Sequence, residues 1–210
     1  MCVTAMDSLV VYIVNIISCI LLYFYGHSSD TKIASLFLAF VGQMQIIDYS
    51  FWKNLTCTSV NTQITRTGIV FNHLQPIVLI LLQYKFGLKL SKLSIYIASL
   101  YTVVAVIYSV FNFYNVKCTT LSEKTKLVYW SWNKEKFYEV FYSLFLISII
   151  SSFSNFENKQ FGGLMMVFAI LTLVMGFIKP KLNESTGRMW CYYSAMIPFV
   201  LLGIVRYKNW

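Results

Sequence analysis

Long apolar runs broken by short polar connections repeat along this chain from end to end. Seven of them, at about 8–26, 32–52, 67–85, 93–114, 136–153, 161–178 and 189–207, are long enough to cross the roughly 30 Å core of a bilayer as helices. The fifth and sixth are the shortest, and the polar stretch 154–160, with Glu157 and Lys159, separates them. The longest connection runs from Asn115 to Glu135, carries Lys117, Glu123, Lys124, Lys126 and Lys134, and divides four spans from three. The first run has only Asp7 as a charge before it and ends on Tyr23-Phe24-Tyr25, which reads as a span rather than a cleaved signal peptide. The expected fold is therefore all-α, a single seven-helix transmembrane domain over 1–210.

Polar residues inside such runs are costly in hydrocarbon and have to face a bundle interior or a water-filled space. Gln45, Asp48 and Trp52 are spaced three and four apart, so they share one face of the second span. The third span answers with Asn72-His73-Leu74-Gln75-Pro76. Pro76 removes a backbone N–H and frees the Asn72 carbonyl, which predicts a kink beside those polar groups. Glu139 lies one turn into the fifth span, and Arg188 and Trp190 stand at the entry to the seventh. All of these fall in the half of the bundle nearer the N-terminal face, whereas the other half holds little beyond Gln83. The pattern predicts a polar vestibule built from Gln45, Asp48, Trp52, Asn72, His73, Gln75, Glu139 and Arg188, able to bind or transport a small solute or ion.

Each of these residues also has a plainer role. Asp48 would pair with Arg188 or Arg66 at the headgroup boundary, Asn72 and Gln75 would hold helices together, and His73 would be hydrogen-bonded core. The alternative function is then a structural or interaction protein of a virion or host membrane. Asp48 and His73 sit at similar depth on consecutive antiparallel spans. If they meet, binding would change between about pH 5 and 7.5, where a histidine titrates.

Composition supports the membrane reading. The chain is 58% hydrophobic and 12% charged, against about a quarter charged in soluble domains, and its mean hydropathy is +0.64. The net charge of +9 sits between and at the ends of the apolar runs, which suits anchoring at anionic headgroups and not nucleic-acid binding. Basic residues are more numerous on the N-terminal side, but many of them crowd one long connection, and the densest short cluster, Lys85, Lys89 and Lys92, is on the other side.

The N-glycosylation sequons at Asn54 and Asn183 both fall on the N-terminal side, together with Cys57 and Cys118. An oxidising compartment there would allow those cysteines to pair; otherwise they are plain thiols. The expected orientation is N-terminus outside and C-terminus cytosolic. Cys19 and Cys191 read as small apolar fillers.

Catalytic patterns are missing. The two histidines, His27 and His73, are far apart, and no G-x-S-x-G, P-loop or H-E-x-x-H occurs. The seventh run has no lysine in its middle for a retinal Schiff base. The expectation is a non-enzyme with no cofactor and no bound metal.

The spacing Gln45-x-x-Asp48-x-x-x-Trp52, then Asn72-x-x-Gln75-Pro76, then Trp190-Cys191 opening the last span, resembles small seven-span proteins encoded by large DNA viruses and some algae. Those usually carry Glu at the position of Asp48, so the carboxylate here reaches less far. The resemblance implies the seven-span architecture and carries no activity with it.

Overall fold

The computed structural model describes residues 4–116, 118–123, 126–134, 137–178, 186–208 and 210. Seven helices appear: α1 (Ala5–Tyr25), α2 (Ser29–Lys53), α3 (Ser59–Lys85), α4 (Lys92–Asn115), α5 (Tyr138–Phe153), α6 (Lys159–Ile178) and α7 (Thr186–Lys208). Between α4 and α5 lies a small antiparallel ribbon, β1 (Thr120–Leu121) with β2 (Val128–Tyr129), followed by a 3-10 turn over Ser131–Lys134. Helices α1 to α4 and the Met189–Lys208 part of α7 are long and apolar enough to span a bilayer. The architecture is that of a multi-pass helical membrane protein. At about 1.5 Å per residue, the 16 residues of α5 fall short of a full bilayer core.

Hydroxyl side chains start the first four helices. Thr4, Ser28, Thr58 and Ser91 each accept a hydrogen bond from a backbone N–H three residues on, and Asp7 returns the bond to Thr4 as a capping box. Helix α3 begins at Ser59, eight residues earlier than its apolar run. Its first two turns, with Asn61, Thr62, Gln63, Thr65 and Arg66, are too polar to show as part of a span. Helix α3 continues through Pro76 and α7 through Pro198. Next to the carbonyl that Pro76 frees, the His73 carbonyl accepts from the Tyr101 hydroxyl at 2.7 Å.

Helix α2 is the central member and packs on α1, α3 and α7; α4 is peripheral and packs on α3 and α5. Asn15 of α1 pins three helices, donating to the carbonyls of Ala195 at 2.8 Å and Leu38 at 3.4 Å. Gly42 of α2 faces that amide, and a Cβ there would collide with it.

The end formed by the α1–α2, α3–α4 and α5–α6 turns is tied by its own side chains. Asp30 accepts from the backbone N–H groups of Glu157 (3.2 Å) and Asn158 (2.8 Å). Asn155 accepts from Ser91 N (3.0 Å) and Ser94 Oγ (3.2 Å) and donates to Gln83 Oε1 (3.3 Å). Gln83 Nε2 donates to the Ser152 carbonyl at 2.7 Å, and Asn158 caps α6 through Gln160 and Phe161. The sequence pattern pointed to Gln83 alone in this half; its partners come from turns that looked like mere connections.

Candidate functional site: a polar cluster beneath a tryptophan plug

At the opposite end the expected vestibule is occupied by the chain itself. The α4–α5 connection turns inward after β2 and buries Trp130 and Trp132, which are 1% and 0% exposed. Their rings stack at 5.1 Å between centroids. The Trp132 ring fits over Gly68 of α3, where a Cβ would stand 2.8 Å from its Cη2. The Trp132 carbonyl accepts from the Tyr108 hydroxyl of α4 at 3.3 Å.

Several bonds fasten this plug to the bundle. Cys57, in the α2–α3 turn, and Cys118 form a disulfide with their Cα atoms 5.6 Å apart. Asn61 of α3 grips Thr119 from both sides, donating to its carbonyl (2.8 Å) and accepting from its N–H (2.9 Å). Thr65 adds a bond to the Thr119 hydroxyl at 3.2 Å. The early start of α3 is what places Asn61 and Thr65 there.

Beneath the plug lie the acidic and amide side chains. Asp48 of α2 is 0% exposed and accepts from the Trp130 indole N–H at 2.8 Å. Asn72 of α3 donates to Cys191 Sγ of α7 at 3.9 Å and accepts from the Tyr142 hydroxyl of α5 at 2.7 Å. Gln75, one helical turn on, donates to the same sulfur at 3.9 Å. Asp48 lies within electrostatic reach of Cys191. So Asn72 and Gln75 of α3 meet one thiol of α7, with Asp48 of α2 in electrostatic reach of it. Gln45 is buried on the Asp48 side of α2, and Trp52 is half-buried against the core.

Two of the expected site residues, His73 and Glu139, take other places. His73 turns away from α2: its Nδ1 pairs with Ser109 Oγ of α4 at 2.7 Å, and its ring lies 4.6 Å from Phe141. The expected Asp48–His73 pair is therefore not formed, because neighbouring positions on α3 point to different sides of the helix. Glu139 is exposed, with the Tyr138 hydroxyl at 3.2 Å, so it does not line the cluster. Arg188 is on α7, but its side chain lies outside the described residues, as does Asn183 altogether. Asn54 caps the end of α2, its Nδ2 donating to the Ser50 carbonyl at 2.9 Å.

Trp130, Trp132, Tyr142 and Cys191 were not picked out by the polar pattern. The available signal was Leu127-Val128-Tyr129-Trp130-Ser131-Trp132, an aromatic, strand-forming stretch inside an otherwise polar connection. Tryptophans beside a span read as an interface belt, and only packing turns them inward.

Most buried polar groups should find hydrogen-bond partners. Here Gln75 Oε1, Asn112 Oδ1 and Trp190 Nε1 have none. A cavity of about 20 Å³ lies deeper, between α2, α5, α6 and α7, lined by Phe37, Val41, Ile149, Phe153, Met165 and Trp190 among others. That is room for roughly one water. Among the described residues no three His, Cys, Asp or Glu side chains group as a metal ion would need. No family model matches the chain, and neither a curated protein nor a solved structure is similar to it.

Proposed function

We propose that this membrane protein binds a small polar solute or ion beneath the tryptophan plug, among α2, α3, α5 and α7, and that the structure is its closed form. The observation that carries this reading is Gln75. Its side chain is 0% exposed, its amide nitrogen reaches only a weakly accepting sulfur, and its carbonyl oxygen has no partner. A group kept buried and unmet costs about 1–3 kcal/mol, a cost that a bound donor would remove. Asn72, Asp48 and Cys191 stand beside it as further polar contacts.

The test separates binding from helix glue. If Gln75 serves a ligand, Gln75→Leu should raise the thermal stability of the empty protein, by up to about 1 kcal/mol, and abolish the stabilisation that a responding solute gives wild type in a thermal-shift screen. If Gln75 only holds α3 to α7, the same substitution should lower stability, and no solute should shift wild type. That second outcome would favour the structural role, which the His73–Ser109 pair illustrates elsewhere on α3.

The plugged end is placed outside, with the N-terminus. The support is the Cys57–Cys118 disulfide on that face, which persists in an oxidising compartment. A glycan gained at an engineered sequon near the C-terminus in microsomes, with none at Asn54 or Asn183, would reverse it.

A further inference from the structure

At the end away from the plug, the turn between α3 and α4 is strongly basic. Lys85 ends α3, Lys89 stands in the turn and Lys92 begins α4, and all three are exposed. The turn that presents them is well fixed. Gly87 holds φ at 77°, and the N–H groups of Phe86, Gly87 and Leu88 bond back to the carbonyls of Leu82, Tyr84 and Gln83. Leu88 is buried in the core, and Asn155 of the α5–α6 turn holds Ser91 N and Ser94 Oγ. Other cations at this end already have contacts. Lys32 and Lys208 lie over the rings of Tyr23 and Tyr207, and Lys159 donates to the Ser154 and Phe156 carbonyls. Among the described residues the side chains of Lys85, Lys89 and Lys92 have no hydrogen-bond or ion-pair partner. The carboxylates at this end, Asp30 and Glu157, are on the other two turns, and Asp30 accepts from the Glu157 and Asn158 N–H groups. Three ammonium groups gathered on one turn without a counter-charge repel one another.

We propose that the α3–α4 turn is a binding site for the headgroup of an anionic phospholipid. Its lipid phosphate supplies the counter-charge that the three lysines lack, and lysine binds phosphate as a mobile point charge. The flanking residues set the depth. Tyr84 and Tyr96 are 76% and 74% exposed, one beside each helix end. Exposed tyrosines at the ends of spans sit at headgroup level, and lysine stems beside them carry their ammonium groups outward. The three charges therefore meet lipid phosphates and not bulk water. Further along the same two helices Leu81 and Leu100 are exposed, which leaves apolar surface for the acyl chains. A phosphatidylcholine headgroup carries its own ammonium, which the lysines repel, so the turn discriminates between headgroups. The fixed backbone of the turn keeps the ordering cost of binding low. This site is at the opposite end from the solute cluster and does not depend on it.

The test uses the full-length protein in neutral detergent, offered phosphatidylglycerol and phosphatidylcholine at equal concentration, with retained lipid counted by native mass spectrometry. Wild type should retain phosphatidylglycerol in preference. That preference should fall by about fivefold for each lysine neutralised in Lys85→Gln/Lys89→Gln/Lys92→Gln. Lys53→Gln/Arg66→Gln, at the plugged end, should leave it unchanged. Lys89→Gln alone should lose about fivefold, and it decides the matter if the triple variant does not fold. Equal retention of the two lipids by wild type would overturn the site. So would a preference that survives in the triple variant, or one lost equally in the plugged-end variant, which would make it a diffuse effect of net charge. Displacement of the lipid by inorganic phosphate at equal concentration would also overturn it, by making the turn a site for free phosphate.

Discussion

Asn155 and Asn61 are both buried asparagines close to a connection, one at each end of the bundle. Asn155 ties Ser91, Ser94 and Gln83 together, and next to it Asp30 holds the turn before α6. Asn61 is just as well bonded, to Thr119 and Asn54, but the layer beneath it differs. There Gln75 Oε1 and Trp190 Nε1 are left unmet, under a plug built from the α4–α5 connection. The sealed end is closed by short turns, whose groups cannot leave without unwinding helices. The plugged end is closed by a long connection, which buries Trp130 and Trp132. Gln75 Oε1 and Trp190 Nε1, both unmet, lie in the half of the bundle that the long connection covers.

The largest expected effect tests whether the cover is core. Trp132→Ala should cost about 3–5 kcal/mol, as for other fully buried aromatics, measured by thermal unfolding in detergent. Phe24, 75% exposed, is the control. A loss no greater than that of Phe24→Ala would mean that the plug contributes nothing to the closed form.

Next come the two asparagines. Asn155→Leu and Asn61→Leu should each lower stability by about 1–3 kcal/mol, because each strands buried partners. Only Asn61→Leu should speed tryptic cleavage at Lys126, which lies in the plug ribbon's turn. Equal cleavage in both variants would erase the difference between the ends.

A finer comparison uses two glycines. Gly68→Ala puts a Cβ against Trp132 and should destabilise by about 1–3 kcal/mol, as other overpacking does. Gly163→Ala on α6 meets nothing within 4 Å and should stabilise by roughly 0.5–1 kcal/mol, since alanine is the better helix former. The reverse order would remove Trp132 from its seat on α3.

The smallest effect concerns His73. Between about pH 5 and 7.5, where an ordinary histidine titrates, any solute response of His73→Gln should follow wild type, since His73 faces Ser109 and not Asp48. A pH response lost in His73→Gln would bring the proton-coupled reading back.

Much of the fold could be read from the chain. Apolar run length is a local property, so seven helices emerged, the short α5 included, and their caps at Thr4, Ser28, Thr58 and Ser91 are local as well. The polar first turns of α3 escaped, because a helix outside hydrocarbon leaves no apolar run. Candidate polar residues were legible for a related reason: Asp48, Asn72 and Gln75 are conspicuous in apolar surroundings whatever they touch.

Their partners were not legible. On one helical turn of α3, Asn72 and Gln75 face α5 and α7 while His73 faces α4, a division set by which neighbour stands on each side. Cys57 and Cys118, 61 residues apart, were a pair only in prospect until the fold brought their backbones together. The two tryptophans look alike in sequence whether they float at an interface or fill a core. Burial is decided by non-local packing, here by the space that Gly68 leaves and by the grip of Asn61 on Thr119. The sequence determined the helices and their polar positions, and tertiary structure alone turned an expected open vestibule into a covered cluster.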